Sequence, residues 1–168
     1  MITESHATLS HSLKVANLAS CRSERLQRGG GALMYVIRPL VSCFISADNS
    51  SGYEALKVCV TLPRLGPTVF CTIYNSPGNV LSKIHMDTLL NSSMPTVLGG
   101  DINAKHSDWG CYNTNRNGHV IHHYVSSNPV FLYVPDEPTY RPNVCTFMVE
   151  QFDEPLCVRP LVRFRDKV

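Results

Sequence analysis

The stretch Val97-Leu98-Gly99-Gly100-Asp101-Ile102-Asn103-Ala104-Lys105-His106-Ser107-Asp108-Trp109-Gly110 decides how this chain is read. An apolar run of strand type ends in two glycines, and an acid and an amide follow two residues apart. Alternate residues of an extended chain point to one side. The spacing therefore projects Asp101 and Asn103 together from a strand end, provided extended backbone continues that far. A carboxylate accepts protons and holds cations, and an amide donates hydrogen bonds to an oxyanion. That pair suits phosphate-ester hydrolysis. The glycines leave the backbone open to an approaching ligand. A second reading of the same residues is a simple turn, because Asp and Asn beyond glycines bond readily to their own backbone. A calcium-binding EF-hand loop fails. Lys105 stands where a third oxygen ligand belongs, His106 replaces the required glycine, and Tyr112 occupies the place of the closing glutamate.

Outward from this stretch, the pattern predicts strands over 32–37, 41–45, 54–62 and 69–74. In 54–62, Leu56, Val58, Val60 and Leu62 fall on one side. A helix is expected over 80–90, with Asn79 as its cap and Val80, Leu81, Ile84, Met86, Leu89 and Leu90 partly at helical spacing. Residues 96–98 form the strand that leads to Asp101. After a polar stretch, a second helix opens at Gly118 with Ile121, Tyr124 and Val125 on one face, and 130–134 is a last strand. Residues 1–28 read as a weakly structured lead, with a faint helical pattern at Leu9, Leu13, Ala16 and Asn17. This order fits an α/β protein of the α+β kind, with strand-to-helix units on a sheet and antiparallel hairpins in front.

A chain of 168 residues, 43% of them hydrophobic, can bury the core of one domain. No apolar run approaches the roughly 20 residues that cross a membrane, and no basic-then-apolar leader opens the chain. The seven cysteines are odd in number, scattered, and form no Cys-x-x-Cys pair. Mostly reduced thiols and an intracellular setting, cytoplasmic or nuclear, are expected. The net charge of +2 decides nothing about nucleic acid. The clusters Arg22, Arg25, Arg28 and Arg159, Arg163, Arg165, Lys167 either touch phosphates or are solvated chain ends.

Four further candidates carry two readings each. Tyr74, at a strand end, donates to a phosphate or caps the core. Trp109 anchors its loop, the favoured reading, or stacks on a base. Glu54 binds a metal or sits at a solvated strand end, the favoured reading. His119, His122 and His123, with Cys111 nearby in sequence, either hold zinc or are ordinary helix-surface histidines, the favoured reading.

Several segments taken in order carry a family resemblance: Arg28-Gly29-Gly30-Gly31-Ala32-Leu33-Met34-Tyr35-Val36, Glu54-Ala55-Leu56-Lys57-Val58, Ile73-Tyr74-Asn75-Ser76-Pro77, the block from Gly99 to Gly110, Thr114-Asn115-Arg116-Asn117-Gly118, and Glu137-Pro138-Thr139-Tyr140. Over residues 28–143 the chain resembles the endonuclease domain of non-LTR retrotransposons. That domain belongs to the endonuclease/exonuclease/phosphatase superfamily, which includes apurinic repair endonucleases and pancreatic-type deoxyribonuclease. The resemblance implies a four-layer α/β/β/α sandwich, present here in part, with a Mg²⁺- or Mn²⁺-dependent site at its strand ends and DNA as substrate. It implies that Asp101 orients or deprotonates the attacking water and binds the metal. Asn103 then holds the scissile phosphate and Tyr74 contacts it, with Arg116, Thr139 and Trp109 as candidate nucleic-acid contacts.

The departures shape the expected activity. The family's opening Asn strand and its metal-binding Glu have no convincing counterpart in residues 1–27. Its closing Ser-Asp-His has none after Asn143, and no histidine follows His123. The expectation is a weakly structured lead (1–27), an incomplete endonuclease-like domain (28–143) and a divergent tail (144–168), with weak or absent catalysis. A non-catalytic nucleic-acid-binding remnant is the alternative. A zinc-holding interaction module built on His119, His122, His123 and a cysteine is the third.

Overall fold

Two sheets face each other, and two helices cover the outer face of the larger one. The computed structural model describes residues 1–3, 14–23, 31–49, 52–134 and 147–151. Strands β1 (Ile2–Thr3), β2 (Leu18–Arg22) and β3 (Ala32–Ile37) form a small antiparallel sheet in the order β1-β3-β2. Strands β4 (Ser42–Asp48), β5 (Tyr53–Leu62), β6 (Gly66–Asn75), β7 (Thr96–Asp101), β8 (Phe131–Tyr133) and β9 (Phe147–Gln151) form the central sheet in the order β4-β5-β6-β7-β9-β8. Helix α1 (Lys83–Leu90) joins β6 to its parallel neighbour β7, and α2 (Arg116–Ser127) precedes β8.

The alternation in β5 explains the layering. Leu56, Val58 and Val60 turn toward Ala32, Met34 and Val36 of β3 and close the core between the sheets. Tyr53 and Ala55 turn the other way, with Cys71 and Ile73 of β6 and Leu98 of β7, toward Met86, Leu89 and Leu90 of α1 and Ile121 and Tyr124 of α2. Each fully buried aliphatic side chain in these two cores contributes about 1.5–3 kcal/mol. On the helix face Lys57 donates to the carbonyl of Thr88 at 2.6 Å, placing a cation at the C-terminal end of α1. The described residues thus supply three layers, helices on sheet on sheet, in keeping with a partial four-layer sandwich.

Local chemistry sets the helix starts, and both differ from the sequence reading. Helix α1 begins at Lys83 and not near Val80. Ser82 caps it, its hydroxyl accepting from His85 N–H while the His85 ring accepts from Ser82 N–H. Asn79 is drawn away from that duty by Asn75, whose side-chain oxygen accepts from it at 2.6 Å. Ile84 points outward, 74% exposed, so it is no part of the buried face. Helix α2 begins two residues before Gly118 because the Asn115 side chain accepts from Gly118 N–H at 2.8 Å.

Two segments read as irregular contain strands. Residues 18–22 pair with β3 in full register, although the lead showed only a faint helical pattern. Phe147–Gln151 lies between β7 and β8, antiparallel to both, within the stretch read as a divergent tail. Short strands of mixed polarity gain their stability from the strands they pair with, so their own composition signals them weakly. The faint pattern at Leu9 and Leu13 lies outside the described residues.

Candidate active site

Strand register assembles the site. Glu54 of β5 pairs with Tyr74 of β6, and Tyr74 pairs with Asp101 of β7. Register partners project to the same face of a sheet. Glu54 lies two residues from Leu56, so this face is the one turned toward the smaller sheet. Neighbouring strands stand about 4.8 Å apart, so the three residues form a row spanning roughly 10 Å of backbone at one rim. Asp101 and Tyr74 are half-buried, and Glu54 is 7% exposed.

The Glu54 carboxylate accepts a hydrogen bond from Gly31 N–H, immediately before β3, and so ties the rim of one sheet to the other. This overturns the reading of Glu54 as a solvated strand end: the smaller sheet covers it. One step deeper on the same face, the Thr72 hydroxyl is fully buried without a hydrogen-bond partner. Among the described residues, the side chains that register and burial place in the row and its floor present oxygen atoms: the carboxylates of Glu54 and Asp101, the Tyr74 phenol and the Thr72 hydroxyl.

Asn103 reaches the rim differently from the way its spacing suggests. The strand ends at Asp101, Ile102 turns into the helix-face core, and Asn103 takes a left-handed backbone with φ +51°. The Asp101 side chain accepts from Asn103 N–H at 3.0 Å, which is the local turn bond of the second reading. The turn therefore exists, and it sets the Asn103 backbone beside the Asp101 carboxylate. The Asn103 side chain donates to the carbonyl of Asn75 at 2.8 Å, and its own carbonyl accepts from the Asn115 side chain at 2.8 Å.

An asparagine lattice that sequence reading missed holds this corner. Asn75 donates to the carbonyls of Ile102 and Asn79, both at 3.1 Å. Asn117, 3% exposed, donates to the Asn79 carbonyl at 3.0 Å and accepts from Leu81 N–H at 2.9 Å. Asn115 also accepts from Lys105 N–H at 3.0 Å. The end of β6, the approach to α1, the end of β7 and the start of α2 are thereby stitched together. The available signal was the recurrence of Asn in Asn75-Ser76-Pro77-Gly78-Asn79 and Asn115-Arg116-Asn117-Gly118.

The glycines have a stricter role than clearance for a ligand. Gly100 has φ +145°, and a Cβ there would stand 2.0 Å from the Ile73 carbonyl oxygen. A Cβ on Gly118 would stand 1.7 Å from the Lys105 carbonyl oxygen. Both positions are closed to any side chain by neighbouring backbone.

Trp109 lies in a short 3₁₀ turn (Ser107–Trp109) and packs, partly buried, against the helix-face core, as the loop-anchor reading has it. Arg116 is exposed at the start of α2, and Thr139 lies outside the described residues. The three helix histidines do not converge. His119 and His123 line a groove of about 290 Å³ with Lys83 and Tyr124, whereas His122 turns to Asp108 at 2.9 Å and stacks on His106 at 4.1 Å. Cys21, Cys43, Cys59 and Cys71 are free, and Cys111 is disulfide-bonded. Cys111 is the exception to the mostly reduced thiols expected and offers no thiolate to a metal. Burial pushes the Cys71 thiol up to about 12, so it is inert at neutral pH.

With this geometry in place, residues 68–148 match the family described as endonuclease-reverse transcriptase. The matched span includes Tyr74, Asp101 and Asn103. Among solved structures, the chain is similar to the endonuclease domain of TRAS1, a telomere-specific non-LTR retrotransposon, with a TM-score of 0.62 and 14% identity over 83% of this chain and 69% of that one. The fold is that of a retrotransposon endonuclease domain. No curated protein matches the chain. Among the described residues, no helix of this endonuclease-type fold is long and apolar enough to cross a membrane.

Proposed function

We propose that the rim row is a phosphodiesterase site of the retrotransposon endonuclease kind, acting on DNA with weak turnover. The observation that carries the reading is the register Glu54–Tyr74–Asp101, with Asn103 bonded to Asp101 at its end. Asp101 orients the attacking water and accepts its proton. The Asn103 amide, fixed by the Asn75 carbonyl, has a second N–H to offer a non-bridging phosphate oxygen. The Tyr74 hydroxyl donates to the same phosphate. Groups held in place before the reaction stabilise developing charge without reorganisation, and phosphoryl transfer depends on such positioning.

The carboxylate, phenol and hydroxyl oxygens of these residues suit Mg²⁺ or Mn²⁺ better than a softer ion. Asp101 would hold the ion, with Glu54 as the second carboxylate in the row. When bound, the ion supplies charge neutralisation at the phosphate. Turnover is weak in this reading because the family's opening Asn and Glu and its closing Ser-Asp-His have no recognisable counterparts in this chain. Parts that act as one unit lose orders of magnitude when one is missing.

The test is nicking of a supercoiled plasmid at high protein concentration with Mg²⁺ or Mn²⁺. Slow nicking is expected in the wild type and none in Asp101→Ala. Nicking that persists in Asp101→Ala would sink the site assignment. Robust wild-type nicking abolished by that substitution would leave the site standing and overturn the weak turnover.

A further inference from the structure

A second cluster of ligating side chains lies on the opposite face of the central sheet from the carboxylate row. His106, Asp108 and His122 each present one ligand atom within 4.8 Å of the other two. The residues come from two elements. His106 and Asp108 belong to the 3₁₀ turn after β7, and His122 projects from the middle of α2.

The turn is preorganised independently of the cluster. Trp109 N–H and Cys111 N–H both donate to the His106 carbonyl, Ser107 N–H donates to the Thr114 hydroxyl, and Asn115 N–H donates to the Lys105 carbonyl. His106 is 8% exposed and wedged between the His122 ring at 4.1 Å, nearly parallel, and the Trp109 ring at 5.2 Å. Its Nδ1 accepts from Asp108 N–H at 3.2 Å. A nitrogen that accepts presents a lone pair, so the Nδ1 side of the ring faces Asp108. The Asp108 carboxylate lies 3.7 Å from that nitrogen and 2.9 Å from Nε2 of His122.

We propose that His106, Asp108 and His122 form a site for a divalent transition ion of the zinc class. Two imidazole nitrogens and one carboxylate oxygen are the donor set zinc takes when a fourth position is left for water. Imidazole disfavours Mg²⁺, so this site and the carboxylate row select different ions. The ion would sit where the Asp108 carboxylate now meets His122 at 2.9 Å, and it would displace one long hydrogen bond to His106. Asp108 and His122 are substantially exposed, which gives the ion an entry path and leaves its remaining position to solvent. Binding pins the Ser107–Trp109 turn to α2 and so braces the loop that begins at Asn103. The ligand set differs from the one the helix pattern suggests: His119 touches the His106 ring edge-on without joining the three, and His123 lies in the groove beside Lys83.

The test is titration of the chelator-treated chain with Zn²⁺ alone, read by calorimetry and by metal content after gel filtration. One equivalent of bound zinc is expected, with a thermal midpoint that rises on addition and falls back with EDTA. His122→Ala is expected to abolish stoichiometric binding, while His123→Ala and Asp101→Ala keep it. Absence of stoichiometric zinc in the wild type would overturn the proposal without recourse to any variant. Retention in His122→Ala, or loss in His123→Ala or Asp101→Ala, would overturn the ligand assignment. Because nicking is not the readout, the result stands apart from the fate of the carboxylate row.

Discussion

The carboxylate row and the histidine turn leave the same strand end by opposite faces, and they are built on different principles. The row is made by register. Glu54, Tyr74 and Asp101 are separated by 20 and 27 positions in sequence, and hydrogen-bonded strands alone line them up. The turn is made by local bonds and one helix: His106, Asp108, Asn115 and Asn117 lie close in sequence and are fixed by side chains that satisfy backbone groups. A site made by register depends on the whole sheet. A site made by caps and turns fails piecemeal.

The largest expected effect destroys the contrast altogether. Gly100→Ala would push a Cβ into the Ile73 carbonyl at a backbone angle foreign to alanine, separating β6 from β7 where the two sites diverge. A loss beyond ~4 kcal/mol is expected, large enough to leave little folded protein. Urea denaturation followed by circular dichroism checks it, and a near-wild-type midpoint would contradict the close approach.

A smaller effect separates the regions. Asn117→Ala leaves Leu81 N–H buried without its acceptor and removes a donor to the Asn79 carbonyl. The expected cost is about 1–3 kcal/mol. Hydrogen exchange should quicken in the approach to α1 and the start of α2, while β5 amides keep their protection. Equal loss of protection across β5 would mean that the two regions unfold as one.

The smallest effect probes the helix face alone. Burial, then the hydrogen bond to Asp87, raises the Tyr124 phenol from 10.0 to about 12. The Lys83 ammonium beside Asp87 holds that carboxyl below its ordinary value. Between pH 10 and about 12 the folded state keeps a phenolic proton that the unfolded chain releases. Stability is therefore whole below pH 10 and falls as pH rises through that window. Tyr124→Phe should flatten this part of the alkaline stability profile, and an unchanged slope would show that other groups govern it. The carboxyl of Asp87 works in the opposite sense, its contribution being lost as pH falls through its lowered value.

The central strands were legible because their patterns are strong. Alternation in 54–62 put Leu56, Val58, Val60 and Leu62 on one side, which the structure turns toward the smaller sheet, and the apolar run before Gly99-Gly100-Asp101 named the strand that carries the acid. The strands at 18–22 and 147–151 were not legible. The first is an edge strand of the small sheet and the second an inner strand of the large one, and each is specified by the backbone it pairs with more than by its own residues. The burial of Glu54 was hidden for a related reason: nothing at position 54 announces that a second sheet will cover it.

The sequence by itself determined which chemistries this chain carries: the acid and amide after the glycines, the phenol at a strand end, and the histidines of the loop and helix. Periodicity and turn residues act over short distances, so they could be read directly. Only the tertiary structure decided which of these groups meet. Glu54 joined Tyr74 and Asp101, and His122 left His119 and His123 for His106 and Asp108. Meeting across strands and between a turn and a helix depends on register and packing, which minimise buried unpaired backbone over the whole sheet and leave no mark at any single position.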